Sequence, residues 1–257
     1  MQLAIAEKRD IQIDDFQRMA DSIIKKSKEI KAANSEVKCP SCFSGRMSIT
    51  DSRCVDCSRN RNLEKAGIPK KYWESSLENL TINPYNKDII SFCNENMLKG
   101  KTKPSLFLYG PCGTGKTHIA VASVRDLVDR RNVLFTTVPQ LLLNIRSTFD
   151  SNSQKITEQR IINMYGSCGM LVLDDFGAEK ISDWSRQIVG QIVHERDSNS
   201  RPMIITSNMS ITEVSKQMDK RIASRIAGSC LIWKLNGSDY RMKQMTTVQK
   251  KGDIWKK

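Results

Sequence analysis

The run Leu106-Phe107-Leu108-Tyr109-Gly110-Pro111-Cys112-Gly113-Thr114-Gly115-Lys116-Thr117-His118 constrains this chain more than any other stretch. An apolar, aromatic segment with the composition of a buried strand enters G-x-x-x-x-G-K-T, and a helix-forming stretch follows. Glycines let a backbone curl until its N–H groups converge on an anion. A helix that opens at the loop adds its positive dipole end. Gly110, Pro111, Cys112, Gly113, Thr114 and Gly115 therefore read as a phosphate cradle, continued by Lys116, Thr117 and His118. Lys116 has the reach for the outer phosphates, and the Thr117 hydroxyl suits Mg²⁺. The order of strand, loop and helix predicts an α/β fold that binds a nucleoside triphosphate.

The flanking pattern agrees. Near-continuous apolar runs at Ser105–Tyr109, Val133–Thr137, Met170–Asp174 and Met203–Ser207 read as strands. Helical patterns alternate with them at Lys116–Arg130, Val138–Thr148, Thr157–Tyr165 and Asp183–Asp197. Such alternation predicts a central parallel sheet covered on both faces.

Leu171-Val172-Leu173-Asp174-Asp175 is an apolar strand that ends in two carboxylates. At the carboxyl edge of a sheet, Asp174 would hold Mg²⁺ and Asp175 would polarise the attacking water. Ile204-Ile205-Thr206-Ser207 ends in Asn208, which suits the γ-phosphate or that water but is equally a turn former. Arg221 and Arg225 lie four apart on one helix face; by themselves they read as a solvated basic face.

Upstream, Cys39-Pro40-Ser41-Cys42 and Cys54-Val55-Asp56-Cys57 are separated by eleven residues. Two such knuckles place four thiolates around one Zn²⁺ in a closed, structural site. Residues 1–34 read as a helix too poor in apolar mass to fold alone, so it docks on a partner or braces the cysteine module. Four segments follow: 1–62, a docking helix and Cys₄ zinc module; 63–103, a connector; 104–241, the P-loop domain; and 242–257, a basic tail.

Lysine and arginine number 41 against 28 acidic residues, a net charge of +13. The excess points to a polyanionic partner, and nucleic acid fits better than membrane because no strongly basic amphipathic helix is present. No apolar run approaches the roughly 18 residues of a membrane span. Met1–Glu7 lacks a basic segment ahead of its apolar residues, so a soluble, cytoplasmic protein is expected.

The succession of P-loop, Asp174-Asp175, Asn208, Arg221-x-x-x-Arg225 and Gly237-Ser238-Asp239-Tyr240-Arg241 resembles the AAA+ ATPases of the DnaC/DnaI-like helicase loader family. So do Thr137-Val138-Pro139-Gln140-Leu141-Leu142, Asp183-Trp184 and Arg201-Pro202-Met203. The likeness covers roughly residues 65–241, and the cysteine module with Gly67-Ile68-Pro69 resembles loaders that carry a zinc-bearing N-terminal domain.

The resemblance implies a loader of a DnaB-like hexameric helicase that binds ATP, Mg²⁺, Zn²⁺ and single-stranded DNA and self-associates into a spiral or ring. It makes Asn208 the sensor-1 residue and Arg225 the arginine finger for a neighbouring subunit, with Arg221 in reserve. It also makes Arg241 a sensor-2-like arginine. Many AAA+ proteins carry Asp-Glu where this chain has Asp174-Asp175; the shorter side chain argues for slow, switch-like hydrolysis. Single-strand binding needs cations and stacking rings, for which Arg146, Phe149, Lys155 and Trp184 are the candidates. Phe149 and Trp184 read equally as core packing. The rival is an IstB-like transposition ATPase acting on target DNA; a third reading is a nucleotide-gated adaptor without useful turnover.

Overall fold

The computed structural model describes residues 55–99, 104–148, 157–177 and 182–242. The expected helix over 1–34, Cys39, Cys42, Cys54, the side chain of Cys57, Phe149, Lys155 and all of the tail after Met242 lie outside the described residues.

Five strands form one parallel sheet: β1 (Ser105–Tyr109), β2 (Val133–Thr137), β3 (Met170–Phe176), β4 (Met203–Ser207) and β5 (Cys230–Lys234), in the order β2-β3-β4-β1-β5. Parallel neighbours need crossovers, and helices supply them. In chain order these are α1 (Val55–Lys65), α2 (Lys87–Cys93), α3 (Lys116–Val124), α4 (Val138–Arg146), α5 (Glu158–Ser167), α6 (Asp183–Ser198), α7 (Ile211–Gln217) and α8 (Lys220–Ser229). Polar side chains start several of them. Thr137 caps α4 at the Gln140 N–H, Ser182 caps α6, and Ser210 with Glu213 makes a reciprocal capping box on α7.

The period-two alternation of side chains divides the core into two layers. Phe107, Leu171, Leu173 and Ile205 face one way, against buried residues of α4, α5, α6 and α8. Leu106, Leu108, Val172 and Ile204 face the other way, against α2 and α3. Over β1 to β4 both faces are covered, so these strands tolerate apolar residues at successive positions, whereas the edge strand β5 leaves Leu231 and Ile232 exposed.

Residues 63–97 pack into the second layer, with Leu63, Ala66, Ile68, Leu77 and Met97 buried beside Leu106 and Ile119. The Phe135 N–H donates to the Ala66 carbonyl at 2.7 Å, which lays this segment along the outer edge of β2. A Cβ on Gly67, whose φ is +77°, would stand 2.7 Å from the Phe135 carbonyl oxygen. The sequence Gly67-Ile68 is therefore a docking device as well as a turn.

Several elements depart from the expected bounds. The helix expected over Lys116–Arg130 stops at Val124 and tightens into a 3₁₀ turn at Arg125–Leu127, just after Ser123 bonds back to the Ile119 carbonyl. Within the connector the chain is α-helical from Lys87 to Cys93 and then widens into a π turn over Asn94–Lys99. Strand β5 and helices α1 and α7 add to the expected elements.

Candidate nucleotide-binding site

All five strands run the same way, so the loops after β1, β3 and β4 open at one edge of the sheet. That crevice is the usual ligand position in an open parallel sheet. Strand β4 lies between β1 and β3, and this places Asn208 between the P-loop and the aspartates. A cavity of about 430 Å³ results, within the size range of small-molecule sites.

The loop is shaped by close approaches. Gly110 has φ +147°, and a Cβ there would lie 2.0 Å from the Leu235 carbonyl oxygen. Gly113 has φ +73°, and its Cβ would strike the Asp239 carboxylate. Only glycine fits at either point. Gly115 is the N-cap of α3 and gives it no side-chain cap, so the first N–H groups of that helix suit an anion. Lys116 is 7% exposed, and its ammonium donates to the Gly110 and Pro111 carbonyls at 2.9 and 2.7 Å. Burial lowers its pKa, opposed by the nearby Cys112, Asp175 and Asp174. The Thr114 hydroxyl donates to the Pro111 carbonyl and closes the loop from inside.

Asp174, 5% exposed, accepts from the hydroxyls of Thr117 at 2.8 Å and Thr206 at 2.6 Å. Burial raises its carboxyl pKa above the ordinary range; the two hydroxyls pull the other way. An oxygen-rich pair of Thr117 and Asp174 beside the phosphate loop fits Mg²⁺, a hard cation that takes one or two protein ligands plus phosphate oxygens. At Asp174 and Asp175 the pairing of β3 with β4 slips, with Leu173 opposite Ile205 and Phe176 opposite Ser207. The extra residue forms a bulge, and Asp175 turns into the left-handed region at φ +54°. Its N–H is held by the Thr206 hydroxyl at 3.1 Å, while its side chain is exposed and lines the cavity. The bulge thus aims two consecutive carboxylates differently, one inward and one at the cavity.

Cys112, Gly113, Gly115, Lys116, Thr117, His118, Asp175, Asn208 and Arg241 of the expected set line this cavity. Burial lowers the His118 pKa, so its ring is uncharged at neutral pH. Arg225 is half-buried on α8, and neither it nor Arg221, which pairs with Asp219 at 3.7 Å, lines the cavity. Arg146 and Trp184 come together elsewhere. The guanidinium lies 5.1 Å over the half-buried indole, whose N–H reaches Glu158 at 3.4 Å. Phe149 and Lys155 lie outside the described residues.

Three residues of the cavity neighbourhood were not among the expected ones. Tyr72 and Tyr240 line it, and Thr206 organises both aspartates. Tyr240 stands beside Arg241 in sequence, and Tyr72 follows the Gly67-Ile68-Pro69 turn, so each had a local marker. Thr206 had none, because a strand threonine carries no signal of what its hydroxyl meets.

The family described as "IstB-like ATP binding protein" matches residues 97–248. The replicative helicase loader DnaC of Buchnera aphidicola subsp. Baizongia pistaciae is 31% identical over 187 residues, covering 71% of this chain and 76% of that protein. DnaC of Escherichia coli K12 is 26% identical over 185 residues, covering 70% and 75%. A solved structure of DnaI superposes with a TM-score of 0.55 at 26% identity, over 65% of this chain and 94% of that one. The five-stranded parallel sheet with its P-loop and paired aspartates is the AAA+ ATPase core, and the chain belongs to the IstB-like ATP-binding family, in its DnaC replicative helicase loader group.

Proposed function

We propose that this protein is an ATP-regulated loader that delivers a DnaB-type hexameric helicase onto single-stranded DNA when replication starts. The observation that carries the reading is a likeness spanning 76% of a protein named a replicative helicase loader. The family's IstB-like description keeps one rival, a transposition helper acting on target DNA.

The chain's own residues divide the work. The P-loop amides and Lys116 bind the triphosphate, and Thr117 with Asp174 would hold Mg²⁺, which when bound neutralises phosphate charge. Asp175 and Asn208 orient the attacking water, and Arg241 reaches the phosphates from the same chain. Arg225, away from the cavity of its own chain, serves the nucleotide of the next subunit in a spiral or ring, where a guanidinium offsets charge developing on the γ-phosphate. With Asp rather than Glu at position 175 the carboxylate reaches less far, and hydrolysis is slow, a release signal rather than a motor stroke. Arg146, exposed and stacked on a Trp184 that also packs against the core, belongs with it to the single-strand track, together with Phe149 and Lys155.

The segment 1–62 grips the helicase through its helix and a zinc module held by Cys39, Cys42, Cys54 and Cys57; the tail 242–257 adds positive charge near the DNA. Two C-x-x-C knuckles in a net-basic chain support this part. The test is capture of a purified DnaB-type helicase by the full chain with ATP, and its loss when residues 1–54 are removed. Capture of a transposase in place of the helicase would overturn the loader reading.

A further inference from the structure

We propose that Thr206 is a positioning residue for ATP hydrolysis, its one hydroxyl setting Asp174 through the carboxylate and Asp175 through the backbone amide; this rests on reading the cavity as the triphosphate site. The reason lies in how β3 meets β4. Leu173 stands opposite Ile205 and Phe176 opposite Ser207, so Asp174 and Asp175 together face the single residue Thr206. On its other side Asp174 keeps ordinary register, opposite Thr137 of β2. With two residues against one, the ladder leaves a main-chain group of the bulged strand without a backbone partner. An N–H left over in this way inside a sheet needs a side-chain acceptor.

Thr206 is fully buried, and its hydroxyl meets that need. The oxygen accepts from the Asp175 N–H at 3.1 Å while the hydroxyl donates to Asp174 Oδ1 at 2.6 Å. A hydroxyl that donates and accepts at once makes a chain, carboxylate to hydroxyl to amide, in which each bond polarises the next. Charge on Asp174 therefore strengthens the hold on Asp175. Asp175 has φ +54°, a conformation that few residues other than glycine adopt unless their surroundings fix it. Ser207 closes the far side of the bulge, its hydroxyl donating to the Phe176 carbonyl at 2.7 Å and accepting from the Met209 N–H at 2.9 Å.

The two aspartates differ in what losing that hydroxyl does to them. Asp174 has a second hydroxyl donor, Thr117 in the first turn of α3, at 2.8 Å. The Asp175 side chain is exposed and lines the cavity, so its aim follows from its backbone. Without the Thr206 hydroxyl, Asp174 stays charged and anchored to the P-loop helix, whereas the Asp175 backbone is released. Binding of the triphosphate then survives and alignment of the attacking water does not. Misplacing a catalytic group by about 1 Å costs on the order of a hundredfold in rate.

The test uses the full chain and substitutions at this one position. Thr206→Val keeps the shape and removes both hydrogen bonds, and Thr206→Ser keeps the hydroxyl. Thr206→Cys, whose thiol donates and accepts only weakly, serves if the valine variant folds poorly. Thr206→Val should lower kcat for ATP about ten- to hundredfold and leave KM within about threefold. Thr206→Ser should return kcat to within about threefold of native, since the hydroxyl rather than the methyl does the positioning. In the ligand-free chain, amide hydrogen exchange followed by NMR should speed about five- to tenfold at Asp175 in the valine variant, with Leu171, Val172 and Leu173 unchanged. Equal acceleration along β3 would make Thr206 a plain packing residue and overturn the proposal. So would an unchanged kcat, a KM that rises while kcat holds, or a serine variant as slow as the valine one. A native chain that neither binds nor hydrolyses ATP would sink the triphosphate reading and the proposal with it, a result that turns on the native chain and not on any Thr206 variant.

Discussion

Replacing Asp174 with Asn keeps the shape of the side chain and removes its charge, which separates a structural role from a metal-binding one. Two hydroxyls, from Thr117 and Thr206, donate to one carboxylate oxygen. Exchanging two charge-assisted bonds for neutral ones costs roughly 2–3 kcal/mol. Burial works against this cost. The carboxyl pKa lies above its ordinary value because desolvation outweighs both hydroxyls, so the folded state favours the neutral form. The sign follows from linkage: the ionised carboxylate costs stability at neutral pH, a cost absent below the ordinary carboxylate pKa and complete above the raised one.

The Asn variant, a permanently neutral mimic, should therefore melt at or slightly above the native temperature. Metal-linked binding should go the other way. ATP with Mg²⁺ at about a hundred times its dissociation constant stabilises the native chain by about 2.7 kcal/mol, or roughly 5–10 °C for a chain of this size. In the variant the increment with ATP and Mg²⁺ should shrink to that with ATP and a chelator. On acidification the native increment should fade at a higher pH than an ordinary aspartate would give, and the variant should show no such fading. Thermal unfolding with and without Mg²⁺ reads all three outcomes. A Mg²⁺-dependent increment that survives in the variant would refute the assignment of Asp174, and a loss of more than about 3 kcal/mol without ligand would refute the balance of burial over hydrogen bonding.

Other outcomes follow from the same geometry. Arg225→Ala should leave ATP affinity within about twofold and cut turnover at least about tenfold, and mixing it with a Lys116→Ala chain should restore turnover because each supplies what the other lacks; a mixture that stays inactive would place the finger elsewhere. Arg146→Ala and Trp184→Ala should each weaken single-stranded DNA binding by about fivefold or more while ATP binding holds, measured by fluorescence anisotropy; unchanged DNA affinity would return the pair to plain surface packing. The purified chain should carry about one Zn²⁺, and Cys39→Ser with Cys42→Ser should abolish it and helicase capture while sparing ATP binding, as read by metal analysis and pull-down. A metal-free native chain that still captures the helicase would exclude the zinc module.

The strand–loop–helix around Lys116 and the strand ending in Asp174-Asp175 were legible in the amino-acid order because local chemistry dictates them. A phosphate loop needs glycine at fixed positions, and a strand buried on both faces needs an apolar run. The helix after Pro139 was legible for the same kind of reason, with Thr137 ahead of it as cap.

What no local pattern encodes is which side chains meet across the sheet. Thr206 bonds Asp174 and supports Asp175 only because β4 pairs with β3 and the pairing slips at the aspartates. Tyr240 reaches Gly113 and Asn83 only because the chain after β5 returns over the P-loop. Arg196 is the clearest case. It looks like one more basic residue of a solvated helix, yet it is fully buried, its guanidinium donating to the carbonyls of Tyr165, Cys168 and Pro202 where α5 ends and β4 approaches. The sequence by itself determined the strand, glycine loop and helix around Lys116, since the contacts that shape them are made within a few residues of one another. Tertiary structure alone decided how the aspartates are aimed, which rings line the cavity and which arginines stay away from it, because those depend on strand order and register.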